Sequence, residues 1–342
     1  MSRLIALGAC LLLGVPDGNA VHVARVGGGA PTAGKAWTVE LAVRPTSFNG
    51  RVQLVATGPG RVTARARGGN GSYRVRLVLP KTGAWTLTAR AGGALSRLGS
   101  VRVRPAPLSF DQPTGVAVTA DGSLLVVEFG QHRLLRVDAS TGRAVQVAKL
   151  VKPWGVAVAP SGAAYVSDQR WLKRIEPGHA PHVVATTDSG VEIGPVAVAP
   201  NGDVVYATVS AVFRLPHGSG PPQQLAAGTT LAGPHGIAVT ADGSVLLCDT
   251  GNDVVLRIDA AGAVTTFALL GNPRGIAVAP GGSVYVASAG EHRVVRLGAS
   301  GQRLGAVGPQ LDDAYALAVA RGGTVYADDI GAGLIRRISP AP

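Results

Sequence analysis

Six residue pairs, each 14 positions apart, carry most of the chemistry available to this chain. They are Thr114 with Glu128, Trp154 with Asp168, Gly194 with Thr208, His235 with Asp249, Arg274 with Ser288, and Tyr315 with Asp329. Together they supply four carboxylates, one histidine, one arginine, a tryptophan and a tyrosine, and no pair occurs twice. Gathered at one mouth of a fold, such groups form a concave ligand site. Carboxylates beside a histidine can also hold a hard divalent cation, Ca or Mg, through oxygens, with Glu128, Asp249 and Asp329 as candidate donors. The plainer alternative is an acid that recurs because it caps backbone groups of a turn. Capping is the favoured role for Asp168 and Asp329, while both roles stand for Asp249 beside His235.

What would position these residues is a repeat. Gly115-Val-Ala-Val returns as Gly155-Val-Ala-Val, Pro195-Val-Ala-Val, Gly236-Ile-Ala-Val, Gly275-Ile-Ala-Val and Ala316-Leu-Ala-Val. The period is about 40 residues, in the range of propeller blades. Each is followed by a turn such as Asp121-Gly122 or Asn201-Gly202, and then by a second apolar strand. A third strand ends in Arg and a β-former: Arg136, Arg174, Arg214, Arg257, Arg296 and Arg337. A fourth apolar run closes the first five units. Four strands per unit, with the units in series, predict a six-bladed β-propeller over 106–342. The sixth unit lacks its own fourth strand, and Leu108-Ser109-Phe110 is placed to supply it and remove an open edge. Folding each unit about its turn sets the paired residues opposite one another around one channel mouth, unless a bulge shifts the register by one. Because types shared by all units build blades, the six recurring Arg read as structural, and the varying positions are free to build a site.

Charge divides the chain. Of 342 residues with net charge +12, positions 21–105 hold 14 Lys or Arg against one acid, Glu40, while 106–342 hold 17 against 18. The basic part alternates Arg with apolar residues, as in Arg74-Val75-Arg76-Leu77, and predicts a small immunoglobulin-like β-sandwich. Its Arg face could grip an anionic envelope polymer or stand as a solvated face. Residues 1–20 predict a signal peptide: Arg3, an apolar run from Leu4 to Val15, and Gly18-Asn19-Ala20 before a cut. The protein is therefore expected to be exported. Ten Lys and Glu in all leave little for long helix surfaces, and 48 Gly with 46 Val suit strands and turns. Two Cys exclude a disulfide framework, and Cys248 reads as a packed core residue.

The repeats resemble the NHL family, whose loop is recognisable in Asp249-Thr250-Gly251-Asn252-Asp253, Gly130-Gln131-His132-Arg133 and Gly290-Glu291-His292-Arg293. That resemblance implies a propeller that hosts either binding modules or enzymes. Pro234-His235-Gly236-Ile237, with its paired acid Asp249 one hairpin further on, resembles the streptogramin (virginiamycin B) lyases. It implies His235 as a general base and Asp249 as a metal ligand, although Gly233 and Arg274 depart from that pattern. Gluconolactonase-type propellers are a further likeness, for which Glu128 and Asp249 could serve but an Asn is missing. The stretch Gly71-Ser72-Tyr73 to Gly83-Ala84-Trp85 resembles small immunoglobulin-like envelope modules. The expected function is an exported, monomeric propeller binding a small molecule or protein at its mouth, with the basic domain as a tether. The alternative is a divalent-metal hydrolase or lyase acting on a lactone or ester. A neutral propeller without a basic stripe predicts no specific nucleic-acid partner.

Overall fold

A computed structural model describes residues 22–44, 47–81, 83–103, 108–227 and 229–339. The signal peptide expected over 1–20 lies outside the described residues. Contacts divide the chain into two compact units, Met1–Ala106 and Pro107–Pro342.

The first unit holds two four-stranded antiparallel sheets. One runs His22–Gly27, Ala36–Arg44, Ser72–Val78, Arg67–Gly69, and the other Arg61–Arg65, Val52–Thr57, Gly83–Ala91, Ala94–Val103. Period-two patterning decides their faces: along Ser72–Val78 every second residue (Tyr73, Val75, Leu77) is buried, while Arg74 and Arg76 point to solvent. Both sheets contribute to one apolar core that includes Leu41, Val75, Leu54 and Leu87. The buried polar tips are satisfied within it, Trp85 Nε1 donating to the Lys81 carbonyl at 3.0 Å and the Tyr73 hydroxyl to the Phe48 carbonyl at 2.8 Å.

In the second unit each sequence repeat becomes a four-stranded antiparallel blade. Blade one is Pro113–Val118, Leu124–Glu128, Arg133–Val137 and Ala144–Lys149, in that order. Blades two to five start with Pro153–Val158, Val196–Val198, Pro234–Val239 and Pro273–Val278. Blade six has Leu317–Val319, Val325–Asp329 and Leu334–Ile338, and takes Leu108–Ser109 as its outer strand. Ser109 lies opposite Leu334 and Leu108 opposite Ile335. The Phe110 N–H adds a bond to the Gly333 carbonyl at 2.7 Å. The first strands of successive blades touch, and that of blade one touches that of blade six, so the ring is closed. Its core consists of six apolar clusters, one at each junction between adjoining blades. Cys248 is wholly buried in one of them, and burial pushes its thiol far up, which suits an inert packing role.

The inner strands depart from simple pairing. In blade one Pro113 faces Glu128 and Gly115 faces Val127, so Thr114 is an extra, unpaired residue. Blade four does the same at His235, between Pro234 opposite Asp249 and Gly236 opposite Cys248. In blades two and five the irregularity takes in Trp154 and Arg274. In blades three and six the strand begins only after Gly194 and Tyr315. The expected opposition of Thr114 to Glu128, Trp154 to Asp168, His235 to Asp249 and Arg274 to Ser288 is therefore corrected by one residue. A bulge explains the shift: Pro cannot donate to the ladder, and the extra residue bends the strand and re-aims its side chain. The glycine that follows lets blades approach. A Cβ on Gly115 would lie 2.9 Å from the Trp154 carbonyl oxygen, and one on Gly236 would strike that of Arg274.

Two of the third-strand arginines fasten turns. Arg136 reaches Asp121 and Arg257 reaches Asp242, each at 2.5 Å within its own blade. Hydrogen bonds from the Thr119 hydroxyl and the Ser123 backbone, with Arg136, hold the Asp121 carboxyl well below its usual range.

Candidate functional site

The four carboxylates at the ends of the second strands are at most 4% exposed. Each binds the loop that leads into its own blade. Glu128 accepts from the Asp111 N–H at 2.7 Å and pairs with Arg133 at 2.5 Å. Asp168 accepts from Val151 and Lys152 at 2.9 and 2.6 Å and pairs with Lys173 at 2.6 Å. Asp249 accepts from the Ala232 N–H and the Asn252 amide, both at 2.7 Å. Asp329 accepts from the Asp312 N–H at 3.0 Å and pairs with Arg336 at 2.8 Å. Ser288 takes the equivalent place in blade five, donating to the Gly271 carbonyl at 2.7 Å. These groups set where the ring residues hang. They do not line the mouth, and among the described residues no three His, Cys, Asp or Glu side chains are placed to share one ion. Glu128, Asp249 and Asp329, each bonded within a separate blade, do not fit a common Ca or Mg ion.

The bulged residues instead converge. Trp154 meets Tyr315 edge-on with centroids 5.5 Å apart, and Tyr315 meets His235 at the same separation. Trp154 and His235 stand 6.1 Å apart, and Phe129 packs edge-on against Trp154 at 6.2 Å. The Arg274 guanidinium lies 4.2 Å from the centre of the Tyr315 ring and is ion-paired with Asp313. Beneath this cluster the channel narrows to about 50 Å³, lined by Thr114 and by Gly115, Gly155, Gly236 and Gly275. Such a space holds a water or two and no organic substrate.

Room for a ligand opens to one side, over blade three. Gly194 occupies the ring position there and brings no side chain. The result is a cleft of about 200 Å³ lined by Trp154 and His235, with Ile193 and Gly194 in its wall and Gln169 and Thr208 as polar handles. A Lys152–Glu192 ion pair of 2.6 Å lies on its rim. A larger opening of about 600 Å³ at the opposite mouth is lined by repeat positions, among them Val239, Val278 and Val319. Those types recur in blade after blade, and its Asp242 and Arg257 already pair with each other. The small cleft gathers the residues that vary.

His235 is held in a defined state at this wall. The Thr250 hydroxyl gives its one proton to the Pro273 carbonyl at 2.6 Å, so toward His235 Nδ1, 3.0 Å away, it can only accept. The neutral ring therefore carries its proton on Nδ1 and leaves Nε2 as an acceptor. Burial, and next the Arg274 charge, lower the pKa of His235; a backbone hydrogen bond at Gly233 and the Asp313 charge partly oppose them. Thr250, Ile193 and the Lys152–Glu192 pair were not legible as site residues. Thr250 lies inside the loop Asp249-Thr250-Gly251-Asn252-Asp253, where only its place next to Asp249, the paired acid of His235, hints at a meeting. The loop histidines His132 and His292, with Asp253, take left-handed turn conformations at φ 53°, 53° and 55°.

No protein-family profile and no curated protein sequence matches the chain. Solved structures do. A protein of unknown function from Bacteroides thetaiotaomicron aligns over 95% of this chain and 100% of its own, at 13% identity and a TM-score of 0.59. Virginiamycin B lyase from Staphylococcus aureus covers 90% of this chain and 100% of its own, at 14% identity and a TM-score of 0.55. A gluconolactonase from Xanthomonas campestris covers 76% and 91%, at 16% identity and a TM-score of 0.59. The shared feature is the propeller fold. At such identities the likeness extends to fold alone.

Proposed function

We propose that the chain is an exported, monomeric recognition module of the NHL type. Its propeller takes a small organic molecule into the cleft beside the Trp154–His235 contact, over Gly194, and its first unit, an immunoglobulin-like sandwich, tethers it to an anionic envelope surface. The observation that carries this reading is the division of labour at the mouth. Aromatic and imidazole rings face the cleft, while the carboxylates that a metal would need are bonded into the blades. Flat walls with a few polar handles favour stacking and orientation over bond-breaking. The test is a fragment screen by thermal shift on the mature chain, with Trp154→Ala in parallel. Compounds that raise the melting temperature of the native chain and not of the variant are the expected result. Equal shifts in both would refute the cleft.

A second reading follows from one observation, the neutral His235 with Nε2 free to accept a proton. The lyase named among the similar structures, and the gluconolactonase, make a lactone or ester the substrate class to try. Elemental analysis of the purified chain and a turnover assay on such substrates separate the readings. A stoichiometric divalent ion lost in Asp249→Asn, with turnover lost in His235→Ala, would replace the binding role by a metal-dependent one.

A further inference from the structure

The first unit carries a groove that the propeller's chemistry does not use. On the sheet of Arg61–Arg65, Val52–Thr57, Gly83–Ala91 and Ala94–Val103, Gln53 lies opposite Arg65 on one side and Arg90 on the other. Arg90 in turn lies opposite Leu95. Directly cross-strand residues share a face, so Arg65, Gln53, Arg90 and Leu95 form one row across all four strands. Arg51, two residues before Gln53, joins them in lining a groove of about 480 Å³. Its base includes Val52 and Ala91, both nearly inaccessible, and one end is left bare by the Gly92-Gly93 turn.

Three guanidinium groups thus share one concavity. Among the described residues none of them meets a carboxylate. Glu40, the one acid among the described residues of this unit, is engaged by Arg74 at 3.2 Å on the other sheet. Converging like charges raise the energy of the empty groove, and a multiply charged anion relieves it. Spacing narrows the anion. Arg65 and Arg90 stand two strand spacings apart, roughly 10 Å at the backbone, so an anion with charges spread along its length meets both without crowding the guanidinium groups together. A guanidinium forks two oxygens of a phosphate, and a chain of phosphates presents such pairs repeatedly. No aromatic side chain lines the groove, so bases would have nothing to stack on, which sets nucleic acid aside. Within the groove only Leu95 is a large apolar side chain exposed to solvent, far less than insertion into a lipid surface needs.

We propose that Arg51, Arg65, Arg90 and Gln53 form a binding groove for a linear phosphate chain free of bases. The groove rests on the tether reading and gives it a place and a ligand chemistry. Inorganic polyphosphate and a phosphodiester-linked wall polymer are two sources of that chemistry.

Isothermal titration of the mature chain with inorganic tripolyphosphate, orthophosphate and a glycerol-phosphate polymer tests it. Tripolyphosphate or the polymer should bind at least tenfold more tightly than orthophosphate, and the tighter of the two identifies the source. Arg65→Gln with Arg90→Gln should weaken that binding by about tenfold or more per residue. Arg76→Gln with Arg102→Gln, the same charge change elsewhere on the unit, should alter it by less than about threefold. All four arginines are exposed, so the variants should retain the native circular dichroism and melting temperature. Equal losses in the two double variants would sink the groove and leave a diffuse anionic-surface tether standing. Absence of binding to any phosphate, with tight binding to polygalacturonate, would overturn the phosphate assignment. No binding to any polyanion would end the tether reading as well.

Discussion

His235 shows how a residue's surroundings decide its chemistry. Its ring is half-buried in the wall of a cleft and faces Arg274, and together these outweigh the Asp313 charge, so the neutral form is favoured in the folded chain. Because the folded pKa lies below the ordinary 6.5, the ring's contribution to stability is present above pH 6.5 and lost as the pH falls through the folded value. Melting temperature should therefore drop more steeply between pH 6.5 and 5 in the native chain than in His235→Gln, which has no proton to gain. Parallel profiles would mean that the ring titrates freely. Thr250 makes a separate prediction. Nitrogen NMR shifts of the His235 ring should report a proton on Nδ1, and Thr250→Val should move the tautomer balance toward Nε2. A spectrum unchanged by that substitution would show that Thr250 does not set the tautomer. The histidine stood out in the sequence because it occurs once in six equivalent positions. Its partner did not, since a threonine inside a turn looks like many others until the bulge aims His235 toward it.

At the level of the element, the same residue type does opposite things one position apart. Asp329 is bonded to a loop N–H and to Arg336, as Asp168 is to its loop and Lys173. Asp328, its neighbour, uses one oxygen to accept from the Tyr315 and Ala316 N–H groups at 2.6 and 2.7 Å, while Oδ2 is buried without a partner. Burial raises the Asp328 pKa well above its ordinary value, against the lowering effect of those two bonds and with help from Asp313 and Asp329. In blade two the matching position is Ser167, whose hydroxyl oxygen takes the Gly155 N–H at 2.8 Å with no charge to bury. Asp328→Asn should therefore be as stable as the native chain or more so at pH 8, with the advantage shrinking toward pH 4. The sign follows from the raised pKa: the cost of burying an ionised group appears as the pH rises above 3.8. Asp168→Asn should instead cost about 3 kcal/mol in urea unfolding, because it leaves Lys173 without its partner. The pairing of strands by turn symmetry was legible, and its offset by one was not. Pro113, Pro153, Pro234 and Pro273, each just ahead of a ring residue, were the available signal, since proline inside a ladder marks an edge or a bulge. That offset separates the aromatic residues, which face the cleft, from the carboxylates, which do not.

For the whole molecule, closure of the ring depends on two residues far from the end they complete. Repeats of blade length are visible in any sequence that keeps them, because each blade buries the same positions against its neighbours. Counting three strands in the sixth unit was enough to require a fourth from Leu108-Ser109-Phe110. The cleft was beyond such counting, because it arises from what blade three lacks: Gly194 contributes no side chain, and Trp154 and His235, from the blades on either side, are left to line the space. The closing strand is short, and the Phe110 N–H bond to Gly333 is a large share of what holds it. Phe110→Pro removes that donor and should lower the melting temperature by about 10 °C, taking a loss of about 3 kcal/mol at a few degrees per kcal/mol. Val147→Pro is the control. Val147 also lies in an outer strand, that of blade one, but it falls between Ala148 opposite Leu134 and Gln146 opposite Leu135, with no partner of its own. Proline there should shift the melting temperature by no more than about 3 °C. The two substitutions differ in what is lost and where: Phe110 gives up a hydrogen bond and a packed ring at the seam of the first and last strands, whereas Val147 lies unpaired at the edge of a single blade. Similar losses from both would mean that the ring stays closed through its inner strands alone, with the outer strand of blade six no more important than any other edge.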